Sequence, residues 1–204
     1  MLMRYWTALV ATVFLLLGSA AHAETAPDAL VKQLSTEVID TVKADKEIQA
    51  GDVRKVIALV DSKGLPHVNF QRMTSMAVGR YWRQATPEQK SRLQDEFKVL
   101  LVRTYSGALS QVRDQSVVMK PLRAQPADTE VLVRTEVKGK GDPIQLDYRL
   151  EKSGDTWKIY DVHVLGVWLV ETYRSSFAQE ISASGIDGLI SKLAERNKAP
   201  AAKS

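Results

Sequence analysis

Two aspartates and a histidine are the residues whose types and spacing first suggest chemistry. Asp147 falls in IQLDYRL, and Asp161 and His163 fall in KIYDVHV, two runs that alternate apolar and polar residues as β-strands do. On consecutive antiparallel strands the carboxylates would be neighbours, and like charges held close form an acid/base pair with split pKa values. The alternation favours a plainer reading. Ile144, Leu146, Tyr148 and Leu150 share one face, so Asp147 is expected on the wet face as a solvated carboxylate, with Asp161 near Arg149 and Lys158. His163, between Val162 and Val164, is expected to point away from the apolar face, as a surface or partner residue. His67 has no evident second ligand. Cysteine is absent, which removes thiolate metal sites, cysteine nucleophiles and disulfides together. Glycine-rich phosphate loops, nucleophile elbows and HExxH pairs do not occur either. No catalytic residue, metal ligand or cofactor is assigned.

Charge and aromatics narrow the partners. The formal net charge of +4 over 204 residues is too mild to argue for nucleic acid. Tyr81, Trp82, Tyr105, Trp157 and Trp168 are scattered among aliphatics, which suits core or pocket lining better than base stacking. Arg80, Arg83, Arg103 and Arg113 lie near expected helix ends, where they would make a basic rim around a mouth.

The elements that must position these residues begin after an export signal. MLMR is basic, YWTALVATVFLLLG is apolar, and Ala21-His22-Ala23 offers small residues at the two positions a signal peptidase reads, so residues 1–23 read as a signal peptide cleaved before Glu24. The apolar run is shorter than the span of about 20 residues a membrane helix needs. Removing it takes away one basic residue, Arg4, and no acidic one, lowering the charge from +4 to +3.

A single α+β domain is expected over 24–197, followed by a disordered polar tail, 198–204. Leu30, Leu34, Val38 and Val42 recur about one helical turn apart after Pro27. Asp52 and Asn69 are candidate caps for a second and a third helix, the third carrying Phe70, Met73, Met76 or Ala77, and Tyr81 inward. Thr86-Pro87-Glu88-Gln89 has a hydroxyl, a proline and a glutamine at the positions of a capping box, ahead of a long stripe from Leu93 to Val112. The period then becomes two. A short edge strand before Pro121, a strand with Val131, Val133, Thr135 and Val137 on one face, and the two strands of the first paragraph make a twisted antiparallel sheet of about four strands, with helices packed on one face. In the stretch Thr156–Ile181, Tyr160, Val162 and Val164 are expected to share the inner face of the last strand. Gly166 alone joins it to a helix carrying Val170, Tyr173, Phe177 and Ile181, and a further helix follows Ser184-Gly185.

One-sided helices and a one-sided sheet, with Met73, Met76 and several tyrosines, would suit a concavity as well as a solid core. Periodicity does not separate the two. Three readings stand on the residues alone: a binding protein with a hollow interior, an enzyme on a cone-shaped α+β scaffold using Asp147, Asp161 or His163 as base, and an adaptor that binds only proteins.

The segments VGRYWRQATPEQKSRLQDEFKVLLVRTYSGAL, QLDYRL, WKIYDVHVLGVWLVETYRSSF and GIDGLISKL, in this order, resemble the MlaC family of periplasmic phospholipid-binding proteins, also known as toluene-tolerance or organic-solvent-resistance transport proteins. Departures are Val78 for a usual leucine, Gln145-Leu146 for a valine pair, Asn69 for an aspartate, and Trp168 for the serine of GVSLV. The resemblance implies a cavity for acyl chains with the headgroup toward solvent, and phospholipid as cargo rather than cofactor. It implies a monomeric periplasmic carrier working between an inner-membrane ABC transporter with an MCE-domain ring and an outer-membrane lipoprotein–porin complex, which maintains outer-membrane lipid asymmetry. The lining expected on this basis is Met76, Tyr81, Tyr105 and Leu109 from helices, Val133, Ile144, Leu146, Tyr148, Val162 and Val164 from the sheet, and Val167 from the junction. Arg80, Arg83 and Trp168 are the expected rim for headgroup or partner.

Overall fold

The computed structural model describes residues 25–198. The expected signal peptide lies outside the described residues, as does the expected tail apart from Lys198, which ends the last helix.

Short polar residues set the helix starts. Helix α1 (Pro27–Ala44) ends at Asp45, whose carboxylate accepts the N–H groups of Glu47 and Ile48 and so begins α2 (Lys46–Gln49), a turn that has no apolar stripe in the sequence. Asp52 caps α3 (Val53–Leu59) by accepting from Arg54 N–H. The chain leaves α3 through a π-turn, Val60–Gly64, and a 3-10 turn, Leu65–His67. Asn69 then caps α4 (Phe70–Val78), accepting from Arg72 N–H at 3.0 Å. Tyr81 is not on α4: a 3-10 turn, Gly79–Arg83, carries it away from that helix's axis. The capping box closes in both directions at Thr86 and Gln89 and opens α5 (Pro87–Ser110).

The sheet is an antiparallel meander of β1 (Ser116–Met119), β2 (Glu130–Lys138), β3 (Ile144–Ser153), β4 (Thr156–Val164) and β5 (Val167–Trp168), in that spatial order. It has five strands rather than four. Gly166 is not a lone joint between strand and helix: Leu165 and Gly166 form a two-residue hairpin loop with φ of 52° and 85°, bringing Trp168 opposite His163 and Val167 opposite Val164. Helix α6 (Leu169–Lys198) follows directly, and is interrupted at Gly185 (φ 74°, ψ −179°) into the two helical segments expected there.

A bulge in β4 overturns one expectation. Arg149 pairs with Asp161 but Leu150 with Ile159, so Tyr160 is an extra residue with no partner in the register. One added residue reverses the alternation. Trp157 and Ile159 face the core below the bulge, and Val162 packs there above it. Tyr160 does not share their face. Its hydroxyl donates to Glu130 at 3.1 Å, and the Arg72 guanidinium lies 3.8 Å above its ring while also pairing with Glu130 and Glu151.

Apolar burial divides into three clusters. One joins α4, α5 and α6 around Phe97, whose ring meets Phe70, Tyr173 and Phe177 with centroids 5.8, 5.1 and 5.2 Å away. A second lays Leu30 and Val31 of α1 on Val133, Tyr148, Leu150, Trp157 and Ile159 of the sheet. The third ties the end of α1 to α2, α3 and the end of α5 through Val42, Ile48, Val56, Leu59, Val102 and Val112. Phe97 is fully buried and central to the first cluster. Phe97→Ala is therefore expected to cost about 3–5 kcal/mol, read as a fall in the denaturant midpoint at unchanged slope.

Candidate functional site

The three clusters leave a space among them, the first two touching only through Val68 and Val162. Between them lies a cavity of about 530 Å³, within the range of pockets for small ligands. Each wall comes from a different part of the chain. Helix α1 contributes Val31, Leu34, Ser35, Val38 and Ile39, and Val56, Val60, Gly64 and Leu65 follow from α3 and the turns beyond it. Phe70 and Met73 come from α4, Leu101, Val102, Tyr105 and Leu109 from α5, and Val112 from just beyond its end. The sheet adds Val137, Ile144, Leu146, Tyr148, Val162 and Val164, while Leu165 and Leu169 close the hairpin side.

Polar groups at the edge are turned toward one another. Lys98 donates to Asp61 at 2.8 Å, and Gln115 accepts from Arg113 N–H through its side chain and from Lys43 Nζ through its backbone oxygen. The walls stay aliphatic and aromatic as a result. Deep in the sheet wall, the Tyr148 hydroxyl has Ser35 Oγ at 3.5 Å, the outer limit of a hydrogen bond. Burial pushes its pKa up to about 12 against a weak opposing effect from Ser35. Leu165, 66% exposed, and Ile144, 45% exposed, stand where the cavity meets solvent.

The expected site residues separate into two groups. Tyr105, Leu109, Ile144, Leu146, Tyr148, Val162 and Val164 stand on the cavity wall. Met76, Tyr81, Val133 and Val167 do not. Met76 packs against the α4–α6 cluster, while Met73, a member of that cluster one turn earlier, is the α4 methionine that also reaches the cavity. Val133 is completely buried in the sheet core, and Val167 is 43% exposed on β5. Tyr81 bonds Ser182 on α6 instead.

The expected rim does not surround this mouth either. Arg80 lines a separate depression, Arg83 is exposed on the 3-10 turn, and Arg113 folds back to donate to the carbonyls of Ser110 and Val112. Trp168 lies against the sheet, with Arg149 stacked 3.8 Å above it and the His163 ring 5.2 Å away. The indole neither narrows the cavity nor stands free at its edge.

The wall of α1 is what sequence reasoning missed. Its stripe was visible, but an apolar stripe reads the same whether it faces a core or a hollow.

Asp147 and Asp161 are buried rather than solvated, at 3% and 0% exposure. Their surroundings explain why. Asp147 accepts from Thr135 N–H and from Gln145. Asp161 accepts from Val162 N–H and from Val170 N–H at the start of α6, and Arg149 donates to it at 3.0 Å. Burial pushes its carboxyl above the usual range, opposed by these donors. Both carboxylates therefore act as structural acceptors, Asp161 joining β3, β4 and the α6 N-terminus. His163 is half-buried across from Asp147, its Nδ1 without a hydrogen-bond partner. None of the three lines the cavity. Among the described residues, no group of three or more His, Asp or Glu side chains is placed to hold a metal ion.

The family model for the MlaC protein matches residues 32–195. The chain belongs to the MlaC family. Among its relatives, the toluene tolerance protein ttg2D of Pseudomonas putida is 27% identical over 184 residues, covering 87% of this chain and 86% of that protein. The intermembrane phospholipid transport system binding protein MlaC of Haemophilus influenzae is 25% identical over 195 residues, covering 94% and 91%. A solved phospholipid-binding protein from Ralstonia solanacearum, in complex with a phospholipid, is 49% identical, with a TM-score of 0.81 over 83% of this chain and 96% of that one. Among the described residues no helix is long and apolar enough to cross a membrane.

Tyr148 provides a spectroscopic handle on the wall of this MlaC-family cavity. An unfolded chain releases a tyrosine proton near 10 and the native state holds this one to about 12, so stability falls as pH rises through that window, by on the order of 2–3 kcal/mol. Absorbance titration of the native protein against Tyr148→Phe is expected to differ only near the upper end of that range. A difference centred near 10 would show that the hydroxyl is not buried.

Proposed function

We propose that this protein is a periplasmic phospholipid carrier, exported by a cleaved signal peptide and loaded with acyl chains in the cavity between its three apolar clusters. The cavity carries the reading: about 530 Å³ walled by aliphatic and aromatic side chains and open to solvent beside Ile144 and Leu165. The phospholipid complex of the 49% identical Ralstonia protein supports it. Moving two acyl chains into water costs on the order of 20 kcal/mol, at about 0.8 kcal/mol per methylene, so lipid crosses an aqueous compartment only inside an apolar container. In this reading the headgroup stays at the solvent edge. The carrier works between an inner-membrane MCE-domain ABC transporter and an outer-membrane lipoprotein–porin complex, maintaining outer-membrane lipid asymmetry. An acid/base role for Asp147 or Asp161 has no support from the site, because both are engaged as acceptors away from the cavity.

Gentle purification, organic extraction and mass spectrometry test the cargo. Phospholipid near one molecule per chain is expected, and protein that extracts free of lipid would refute the reading. Leu146→Glu should then abolish the bound lipid while leaving the circular dichroism spectrum of the native fold, because it sets a charge in the cavity wall at a partly buried position. A full lipid complement in that variant would remove Leu146 from the binding surface.

A further inference from the structure

A second depression, of about 670 Å³, lies between the Gly79–Arg83 turn and the first segment of α6 and shares no lining residue with the cavity. Its floor is small and apolar, with Gly79, Ala178 and Ala183. Arg80 and Arg174 stand on its walls. The Tyr81 hydroxyl is 2.8 Å from Ser182 Oγ and 2.9 Å from Arg80 Nη2, which fixes the Arg80 guanidinium beside the tyrosine ring. Arg174 lies against Gly79, its Nε 3.5 Å from where a Cβ would sit, at a backbone φ of +66° that favours glycine. No aspartate or glutamate lines the depression. Arg54, Arg72, Lys98, Arg149 and Lys192 each meet a carboxylate. Among the described residues Arg80 and Arg174 meet none: Arg80 is held by the Tyr81 hydroxyl, and Arg174 lies exposed beside Gly79.

We propose that this depression is a docking groove for an acidic segment of a partner protein, with carboxylates on Arg80 and Arg174 and a small apolar residue seated between them on Ala178 and Ala183. Guanidinium groups pair with carboxylates through paired N–H donors, and two unpaired ones across a concavity are complementary to spaced acidic side chains. The apolar floor gives a free phosphate nothing to cover. A bilayer is flat, and the large apolar side chains that stand exposed among the described residues, Ile144, Leu165 and Val167, belong to the hairpin end of the sheet instead. This inference is independent of the lipid reading, because the groove and the cavity have no residue in common.

The test is titration of the purified protein, at low ionic strength, with a short peptide of alternating glutamate and alanine, following the Nε–H resonances of Arg80 and Arg174 by NMR. Both are expected to shift. The double variant Arg80→Gln/Arg174→Gln should weaken binding about tenfold, and Ala183→Trp, which fills the groove without removing charge, should weaken it too. Arg92→Gln/Arg196→Gln removes the same charge from α5 and from the second segment of α6, outside the depression, and should leave binding unchanged. Absence of binding, equal weakening in that control, or equal shifts with inorganic phosphate or phosphatidylglycerol vesicles would each overturn the proposal.

Discussion

The constraint on which this structure depends is that its interior must not close. Side chains around a hollow of about 530 Å³ lack the neighbours that a filled core would supply, and so forgo packing energy. Net stability of an ordinary domain is only about 5–15 kcal/mol. A fold with such an interior needs its packing elsewhere. Here it lies in three clusters around the hollow, each joining elements distant in sequence. An apolar occupant is therefore part of the native state's energetics, since it returns the contacts that the walls would otherwise lack.

Polar interactions hold the clusters in register. Asp161 is the clearest case. Buried and raised in pKa, it accepts two backbone N–H groups, one at the start of α6, and Arg149 spans from it to the Trp168 ring. A salt bridge on an exposed surface contributes little, whereas a buried carboxylate that lost these donors would be left uncompensated. On the same sheet, Arg72 joins α4 to Glu130, Glu151 and Tyr160. Between them these groups fix α4 and α6 against β4, on the flank where Val162, Leu165 and Leu169 line the cavity.

Local signals were legible. The capping box at Thr86, the caps at Asp52 and Asn69, the edge strand before Pro121 and the break at Gly185 each stand where short-range chemistry places them. The ordered segments also led to the MlaC family, which the family match over residues 32–195 bears out. Alternation placed Leu146, Tyr148 and Val164 inward, because a strand's period of two holds wherever no residue is inserted. It failed at Tyr160, since a bulge is a relation between two strands and leaves no mark in one.

By itself, then, the sequence determined the starts of the longer helices, the antiparallel strands other than β5, the α+β class and the family. Each of these rests on contacts within a few residues or on a pattern shared with relatives. Only the tertiary structure decided which apolar side chains face a hollow and which face a core. Met73 and Met76, or Val133 and Tyr148, read alike in a stripe, yet one of each pair lines the cavity and the other does not. The physical reason is that burial is a property of how faces meet. It also decided that Asp147 and Asp161 are buried, because the donors that make such burial tolerable, from Thr135 and Val170 above all, come from other elements.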